Sequence, residues 1–388
     1  MKSVLIYRSR YLPLSETFVS DHIRALSRYT PIVACEREEA ASHKPEVETH
    51  RAWRTRVGRF GFVSMGRSLA LERAIRRSRP ALVHAHFLTD AARIVRFVRR
   101  SGLPFLVTAH GYDATLSDKA LSGTDEGRLL LARRSEVVCT ANVIVCVSDF
   151  IRQALLDQGC PAEKLVTLPL GVDMQAFQQR PRGETRRGIV SVGRLVEKKG
   201  TRYLIEAYAR LSPDLRALHP LTIIGDGPMR ETLGTMAGTL GVAVSFLGAQ
   251  TREVALTAVS NAAVFCLPSV RAANGDAEGM PIAIMEALAL GVPTVVFEGQ
   301  HMSAALTAAG ACLAAQPGDC GQLAVMLAGV LEDAATGEQL SERGRDFAEQ
   351  HFSLTSQVRK LTDLYDRVVA AHERGPVPAG ELLHGHGS

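Results

Sequence analysis

Short apolar runs alternate with helix-like stretches along most of the chain. Val4-Leu5-Ile6-Tyr7 reads as a buried strand, and Phe18 to Arg28 as the helix after it. Pro31 to Cys35, Ala81 to His86, Phe105 to Thr108 and Asn142 to Val147 continue the series of strands. Runs this short and apolar, with helices between them, are the pattern of a parallel sheet covered on both faces. The pattern restarts at Gly188 to Val192 and runs on through Leu221 to Ile224, Val244 to Leu247, Ala263 to Leu267 and Pro293 to Val296. Between the two series, Arg180-Pro181-Arg182-Gly183-Glu184 is polar and carries Pro and Gly, as a linker does. A last amphipathic period covers about 353–374. The expected architecture is α/β, with one doubly wound, Rossmann-like domain at 1–170 and a second at 185–352. Sheets of this kind bind ligands outside the carboxyl ends of their strands, so polar residues just after strands carry the interest.

Length agrees with two cores, because 388 residues exceeds what one core sustains. No stretch of about 18 uncharged apolar residues occurs, and Met1 to Arg8 turns charged too early for a secretory signal, so a cytoplasmic protein is expected. The seven cysteines show no CxxC spacing and mostly sit in apolar runs, which suits buried free thiols. Charge is uneven. Residues 1–170 hold 26 Lys+Arg against 17 Asp+Glu, a balance of +9, whereas 171–388 hold 19 against 23, a balance of −4. The basic half calls for an anionic partner.

The strongest chemical signal is Glu278-Gly279-Met280-Pro281 leading into Ile282-Ala283-Ile284-Met285-Glu286. Pro281 suits a first helical turn and Gly291 the position past the last. Glu278 then sits at the helix mouth, with Glu286 two turns on and roughly 10 Å away along the axis. Backbone N–H groups near Gly279 and Met280 suit an anion between the two carboxylates. A carboxylate accepts hydrogen bonds from neighbouring hydroxyls, which is how a protein grips a sugar diol. The second signal is Gly193-Arg194-Leu195-Val196-Glu197-Lys198-Lys199-Gly200, after a strand. Arg194 can fork onto phosphate oxygens and Lys199 adds a point charge where a leaving diphosphate gains negative charge.

With Gly225-Asp226-Gly227-Pro228, these pieces resemble the family 4 glycosyltransferases, and more narrowly the bacterial exopolysaccharide and colanic-acid-type transferases among them. The narrower likeness rests on Ser15-Glu16-Thr17-Phe18-Val19, His84-Ala85-His86-Phe87, Thr108-Ala109-His110-Gly111-Tyr112-Asp113, Gly171-Val172-Asp173 and Asn274-Gly275-Asp276-Ala277-Glu278-Gly279. The resemblance implies a GT-B fold of two domains facing across a cleft, with the last helix crossing back to the first. It implies a retaining transferase that uses a UDP- or GDP-linked sugar as substrate, with no cofactor and no metal. By matched position, Arg194 and Lys199 would hold the diphosphate beside Gly279 and Met280, Glu286 the ribose, and Glu278 the donor sugar and its developing positive charge. His110 would lie near the reacting centre, and Ser15, Glu16, Gly111, Asp113, Gly225 and Asp226 are further cleft candidates. One departure stands out. Where the family shows Gly-Gly and then Ile-Pro-Glu after the strand ending at Val296, this chain has Phe297-Glu298-Gly299-Gln300-His301-Met302-Ser303.

His84 and His86 are expected to point to opposite sides of their strand, leaving no metal cluster. No GxGxxG follows the first strand, which argues against a dinucleotide enzyme. Arg51 to Arg79 holds nine arginines and one carboxylate, Glu72, with Trp53, Phe60, Phe62 and Met65 interleaved. Arg93, Arg96, Arg99 and Arg100 add a helical stripe. This face suits anionic lipid and not nucleic acid, for which no recognition fold is present. The sequence therefore points to a hexosyltransferase of surface polysaccharide assembly, acting on a saccharide or lipid-linked saccharide at the inner face of the membrane. The rivals are a GT-B sugar-nucleotide epimerase and a non-catalytic module that binds sugar nucleotide or lipid.

Overall fold

A computed structural model of the chain describes residues 1–11, 17–39, 47–177, 186–299 and 303–374. Two compact units emerge: Met1–Gly171 together with the chain from Leu354 onward, and Val172–Ser353. The polar segment Arg180–Glu184 lies outside the described residues.

The first unit holds β1 (Lys2–Tyr11), β2 (Tyr29–Glu38), β3 (Glu48–Arg51), β4 (Leu82–His86), β5 (Phe105–Ala109), β6 (Val143–Cys146) and β7 (Leu165–Thr167). They pair in the order β3-β2-β1-β4-β5-β6-β7, all parallel. The second unit holds β8 (Ile189–Val192), β9 (Leu221–Ile224), β10 (Val244–Phe246), β11 (Val264–Leu267), β12 (Thr294–Phe297) and β13 (Leu313–Ala315). Their order is β10-β9-β8-β11-β12-β13, again all parallel. Both sheets thus reverse their winding beside their first strand, between β1 and β4 and between β8 and β11. Such a reversal opens a crevice at the carboxyl ends, because the flanking connections leave in opposite directions.

Burial explains which strands the hydrophobic pattern revealed. Every residue of β4, β5, β11 and β12 is buried, as expected of strands covered on both faces. The edge strand β3, Glu-Thr-His-Arg, has no buried residue and no apolar run to announce it. In the second unit the helices Thr201–Ala209 and Cys320–Glu332 pack together, and Ile282–Ala289 packs on Ala334–Phe352. The terminal helix Leu354–Arg374 belongs to the first unit, where it packs on the helix Thr17–Ala25. Arg28 pairs there with Asp363 and Asp366, and Tyr29 Oη donates to Asp366 Oδ1 at 2.7 Å.

The arginine-rich segment is an ordered helical hairpin. Thr55 Oγ1 accepts from Gly58 N and caps the helix Arg56–Met65, which Gly66 ends in the left-handed region. Ser68 caps the following helix, Leu69–Ser78. Two expectations for this face are corrected. Phe62 is fully buried and meets the rings of Tyr7 and Phe97, so it belongs to the core. Arg93 is also buried, between Glu36 at 3.1 Å and Glu126 at 3.3 Å, because a desolvated guanidinium needs carboxylate partners. It takes no part in a surface stripe, and Arg96 and Arg99 share Glu136. Six cysteines are buried free thiols and Cys139 is exposed. Burial pushes the Cys146 thiol up to about 12 and that of Cys312 to about 11.

Candidate active site

The carboxyl ends of β8 and β11 carry the candidate residues of the second unit. After β8 the chain makes a 3-10 turn, Glu197–Lys199, which Gly200 closes at φ 64°. A Cβ on Gly200 would sit 1.8 Å from the Pro268 carbonyl oxygen, so glycine lets this turn press against the end of β11. The loop after β11 is then tied to the turn residue by residue. Val270 N donates to Lys198 O at 2.8 Å, Ala273 N donates to Glu197 Oε1 at 3.0 Å, and Lys198 Nζ donates to Asp276 Oδ1 at 2.9 Å. Lys199 Nζ lies 3.1 Å from Glu278 Oε1, with Lys198 Nζ at 3.7 Å from the same oxygen. Glu278 is only 7% exposed, so its charge sits between two cations in a largely dry setting. Burial alone would lower the pKa of Lys198. The Glu278 and Asp276 carboxylates outweigh it and raise the pKa, with the nearby Arg194 opposing them.

Glu286, two turns into the helix Ile282–Ala289, accepts from Arg252 Nε at 2.8 Å. Pro281 is the residue capping that helix and not part of its first turn, so the leading N–H groups belong to Ile282 and Ala283. Gly279 and Met280, read as the anion-binding pair, precede the helix and are buried. Arg194 is exposed at the end of β8. Gly225 passes so close to Gly193 that a Cβ would fall 1.9 Å from its carbonyl oxygen, and Gly193 N donates to Ile224 O at 2.9 Å. Asp226 is exposed, accepts from Gly227 N at 2.7 Å, and through its carbonyl receives Leu195 N at 2.9 Å. Arg194, Lys199, Glu278, Gly225 and Asp226 therefore belong to adjoining strand ends of one sheet.

In the first unit His110 follows β5 and is 8% exposed. The expectation for His84 and His86 is overturned. Side chains alternate singly along a strand, so residues two apart share a face, and the two rings lie 4.3 Å apart. His86 Nδ1 is 3.1 Å from His110 Nε2. Burial holds both His86 and His110 well below the usual histidine range, hence neutral near pH 7. Asp113 serves the backbone. Its carboxylate accepts from Gly111 N at 2.8 Å, His110 N at 3.1 Å and Leu88 N at 2.8 Å, which fixes the loops after β4 and β5 to each other. Phe87 sits at φ 71°, a region costly for a side-chain-bearing residue. It is held between the Arg8 guanidinium, 4.4 Å from its ring centroid, and the His110 ring, also at 4.4 Å. Ser15 and Glu16 lie outside the described residues.

Sequence reading passed over Lys198, Asp276, Arg252 and His86. Lys198 was legible as half of a Lys pair, but only the loop tie to Asp276 distinguishes it. Arg252 had no local signal, being 34 residues from its partner. In the departing segment Glu298 Oε2 accepts from Gln316 Nε2 at 2.5 Å, and Gln300 to Met302 lie outside the described residues.

Known proteins resemble this chain in sequence and in fold. Residues 173–347 match the family described as glycosyl transferases group 1, and residues 15–176 match glycosyltransferase family 4. A protein of Escherichia coli strain K12 named as a colanic acid biosynthesis glycosyltransferase is 35% identical over 190 residues, 48% of this chain and 45% of its own length. An amylovoran biosynthesis glycosyltransferase of Erwinia amylovora is 30% identical over 230 residues, 58% of this chain and 56% of its own. The chain therefore spans about half the length of these relatives. The crystal structure of HepE from Anabaena with UDP and glucose superposes with a TM-score of 0.76 at 17% identity, covering 94% of this chain and all of that one, a likeness of fold.

Proposed function

The chain belongs to the glycosyltransferases, with a family 4 domain followed by a group 1 domain, and we propose that it transfers a hexose with retention from a nucleoside diphosphate sugar to a saccharide acceptor of surface polysaccharide. The observation that carries this reading is the Lys199–Glu278 contact of 3.1 Å, backed by Lys198 and Asp276, at the switch point of the second sheet. The lysines and Arg194 would neutralise the diphosphate as the bond from sugar C1 to phosphate oxygen breaks. Glu278 would face the positive charge that grows on the sugar, and Glu286 would receive the ribose hydroxyls. The acceptor oxygen bonds to C1, and its proton leaves on the departing phosphate oxygen. In this scheme the nucleotide sugar is a substrate, and the chain's own cations do the neutralising. UDP and GDP donors both fit these contacts.

The acceptor and the place of reaction are a further part of this proposal. Val57, Phe60, Met65 and Leu69 are exposed on the arginine-rich hairpin, at 81%, 63%, 51% and 70%. Arg54, Arg56, Arg59, Arg67, Arg73, Arg76 and Arg77 surround them in sequence, and Arg59 lies over the Trp53 ring at 5.9 Å. No described helix is long and apolar enough to cross a membrane. Exposed apolar side chains among arginines suit the headgroup boundary of an anionic bilayer. We therefore place the enzyme at the cytoplasmic membrane face, with a lipid-linked saccharide as acceptor. Vesicles rich in phosphatidylglycerol should sediment with the protein at low salt and release it as salt rises, and Phe60→Ser with Arg59→Ser should weaken this binding. Failure to bind at low salt removes the membrane claim and leaves the transferase reading intact.

A thermal-shift screen against nucleoside diphosphate sugars tests the central claim, since a ligand of the folded state raises its melting point by mass action. One nucleotide class should raise Tm by several degrees, and Lys199→Ala should abolish most of the shift. No shift with any donor defeats the reading. Turnover of that donor without an acceptor would move the assignment to an epimerase.

A further inference from the structure

Three histidine rings run along one face of the first sheet, and they differ in how their nitrogens are used. His84 is saturated: its Nδ1 lies 2.7 Å from Tyr365 Oη on the terminal helix, and its Nε2 lies 2.8 Å from Thr108 Oγ1. His86, two residues on, stacks against His84 at 4.3 Å between centroids and against His110 at 5.3 Å with an interplanar angle of 26°. Strand pairing brings them together, because β4 and β5 set His86 beside Thr108, two residues before His110. His86 Nδ1 and His110 Nε2 then share one hydrogen bond of 3.1 Å. Two neutral imidazoles can bond this way only if one ring donates and the other accepts, so the bond couples the tautomers of the two rings.

His110 is left with one uncommitted nitrogen. Its Nδ1 is buried and has no hydrogen-bond partner among the described residues. The ring cannot swing to find one, since Phe18 and Phe87 flank it with centroids at 4.9 and 4.4 Å. Unlike the neighbouring His22, whose two buried ring nitrogens both lack partners among the described residues, His110 is held through one nitrogen, and its orphaned second nitrogen points to a group that arrives from outside. The proposed substrates carry hydroxyls that either donate to or accept from a neutral imidazole nitrogen.

We propose that His86 is a positioning residue which commits Nε2 of His110, so that Nδ1 is the nitrogen that meets a substrate hydroxyl. The inference rests on the reading of the chain as a glycosyltransferase with His110 at its substrates. It assigns His84 and Tyr365 to the support of that pair: the terminal helix locks His84, and His84 backs the ring of His86.

Amide side chains of two lengths separate the two nitrogens. The amide of Asn reaches the place of Nδ1, and that of Gln the place of Nε2. His110→Asn should keep kcat within about tenfold, whereas His110→Gln should lose about 100-fold or more, the range of a lost positioned proton-transfer or hydrogen-bonding group. His86→Leu should lower kcat about tenfold with little change in the donor KM, and His86→Asn, whose amide takes the place of the His86 Nδ1 and can still bond His110 Nε2, should restore part of the loss. The second measurement needs no variant. Ring ¹⁵N shifts of wild-type His110 should show one tautomer, and donor with acceptor should move Nδ1 while Nε2 stays in place. An active Gln variant beside an inactive Asn variant overturns the assignment of Nδ1. An unchanged His110 tautomer in His86→Leu overturns the positioning role. A tautomer that depends on His86, with full activity in both amide variants, would uphold the positioning and instead remove His110 from the reaction.

Discussion

Glu278→Gln should cut turnover by about 10²–10³ while leaving nucleoside diphosphate affinity unchanged or slightly stronger. Glutamine keeps the volume of the buried side chain and removes only its charge. The wild-type carboxylate lies 3.1 Å from Lys199 Nζ and 3.7 Å from Lys198 Nζ. With that charge gone, both ammonium groups remain for the diphosphate, Lys199 loses the carboxylate beside it, and Lys198 keeps Asp276. Binding therefore has no reason to fall. The reaction does, because no anion then faces the cationic sugar at the moment its bond to phosphate breaks. Interactions made mainly in the transition state lower kcat without raising KM. Steady-state kinetics with donor and acceptor, together with calorimetric binding of the nucleoside diphosphate, would measure both quantities. Normal turnover would take Glu278 out of the chemistry. A large rise in Kd at normal kcat would make it a binding residue only.

The largest stability effect is expected from Asp90→Ala in the first unit. Asp90 Oδ2 accepts from Arg8 Nη1 at 2.7 Å and from Ser9 N at 2.9 Å, and both charged side chains are almost fully buried. Arg8 also donates to His86 O at 3.1 Å and lies over the Phe87 ring. Deleting the carboxylate leaves a desolvated guanidinium without its nearest counter-charge, which costs about 3–5 kcal/mol in a buried pair. Urea unfolding followed by circular dichroism should show the midpoint fall with little change in slope. Asp90→Asn should recover part of the loss, since an amide oxygen still accepts from Ser9 N. A loss below about 1 kcal/mol, the scale of an exposed pair, would show that Arg8 finds water or another partner. Because Arg8 reaches the backbone of His86, even a folded variant should have a disturbed histidine cluster.

Much of this was legible in the chain itself, for reasons that can be traced. Strands covered on both faces are mostly apolar, so β4, β5, β11 and β12 were visible as runs. The edge strands β3, β7 and β13 were not, since a strand at the edge of a sheet needs no apolar run. Glu278 stood out by its spacing from Glu286 across a helix start, and Arg194 and Lys199 as cations between a strand and a helix. The histidine pair was misjudged through the strand period: spacing by two puts His84 and His86 on one face. Arg93 and Phe62 looked like surface groups of a basic region, and only burial against Glu36 and Tyr7 showed otherwise.

Sequence by itself determined the two parallel sheets, the strand ends that carry the candidate site, and the acidic and basic residues placed there. Those features are local: they follow from the spacing of apolar residues and from what directly follows each run. Tertiary structure decided the pairings: Lys198 with Asp276, Arg252 with Glu286, His86 with His110 and Tyr365 with His84. A hydrogen bond depends on distance in space, and strand order sets that distance, bringing together residues from 24 to 281 positions apart.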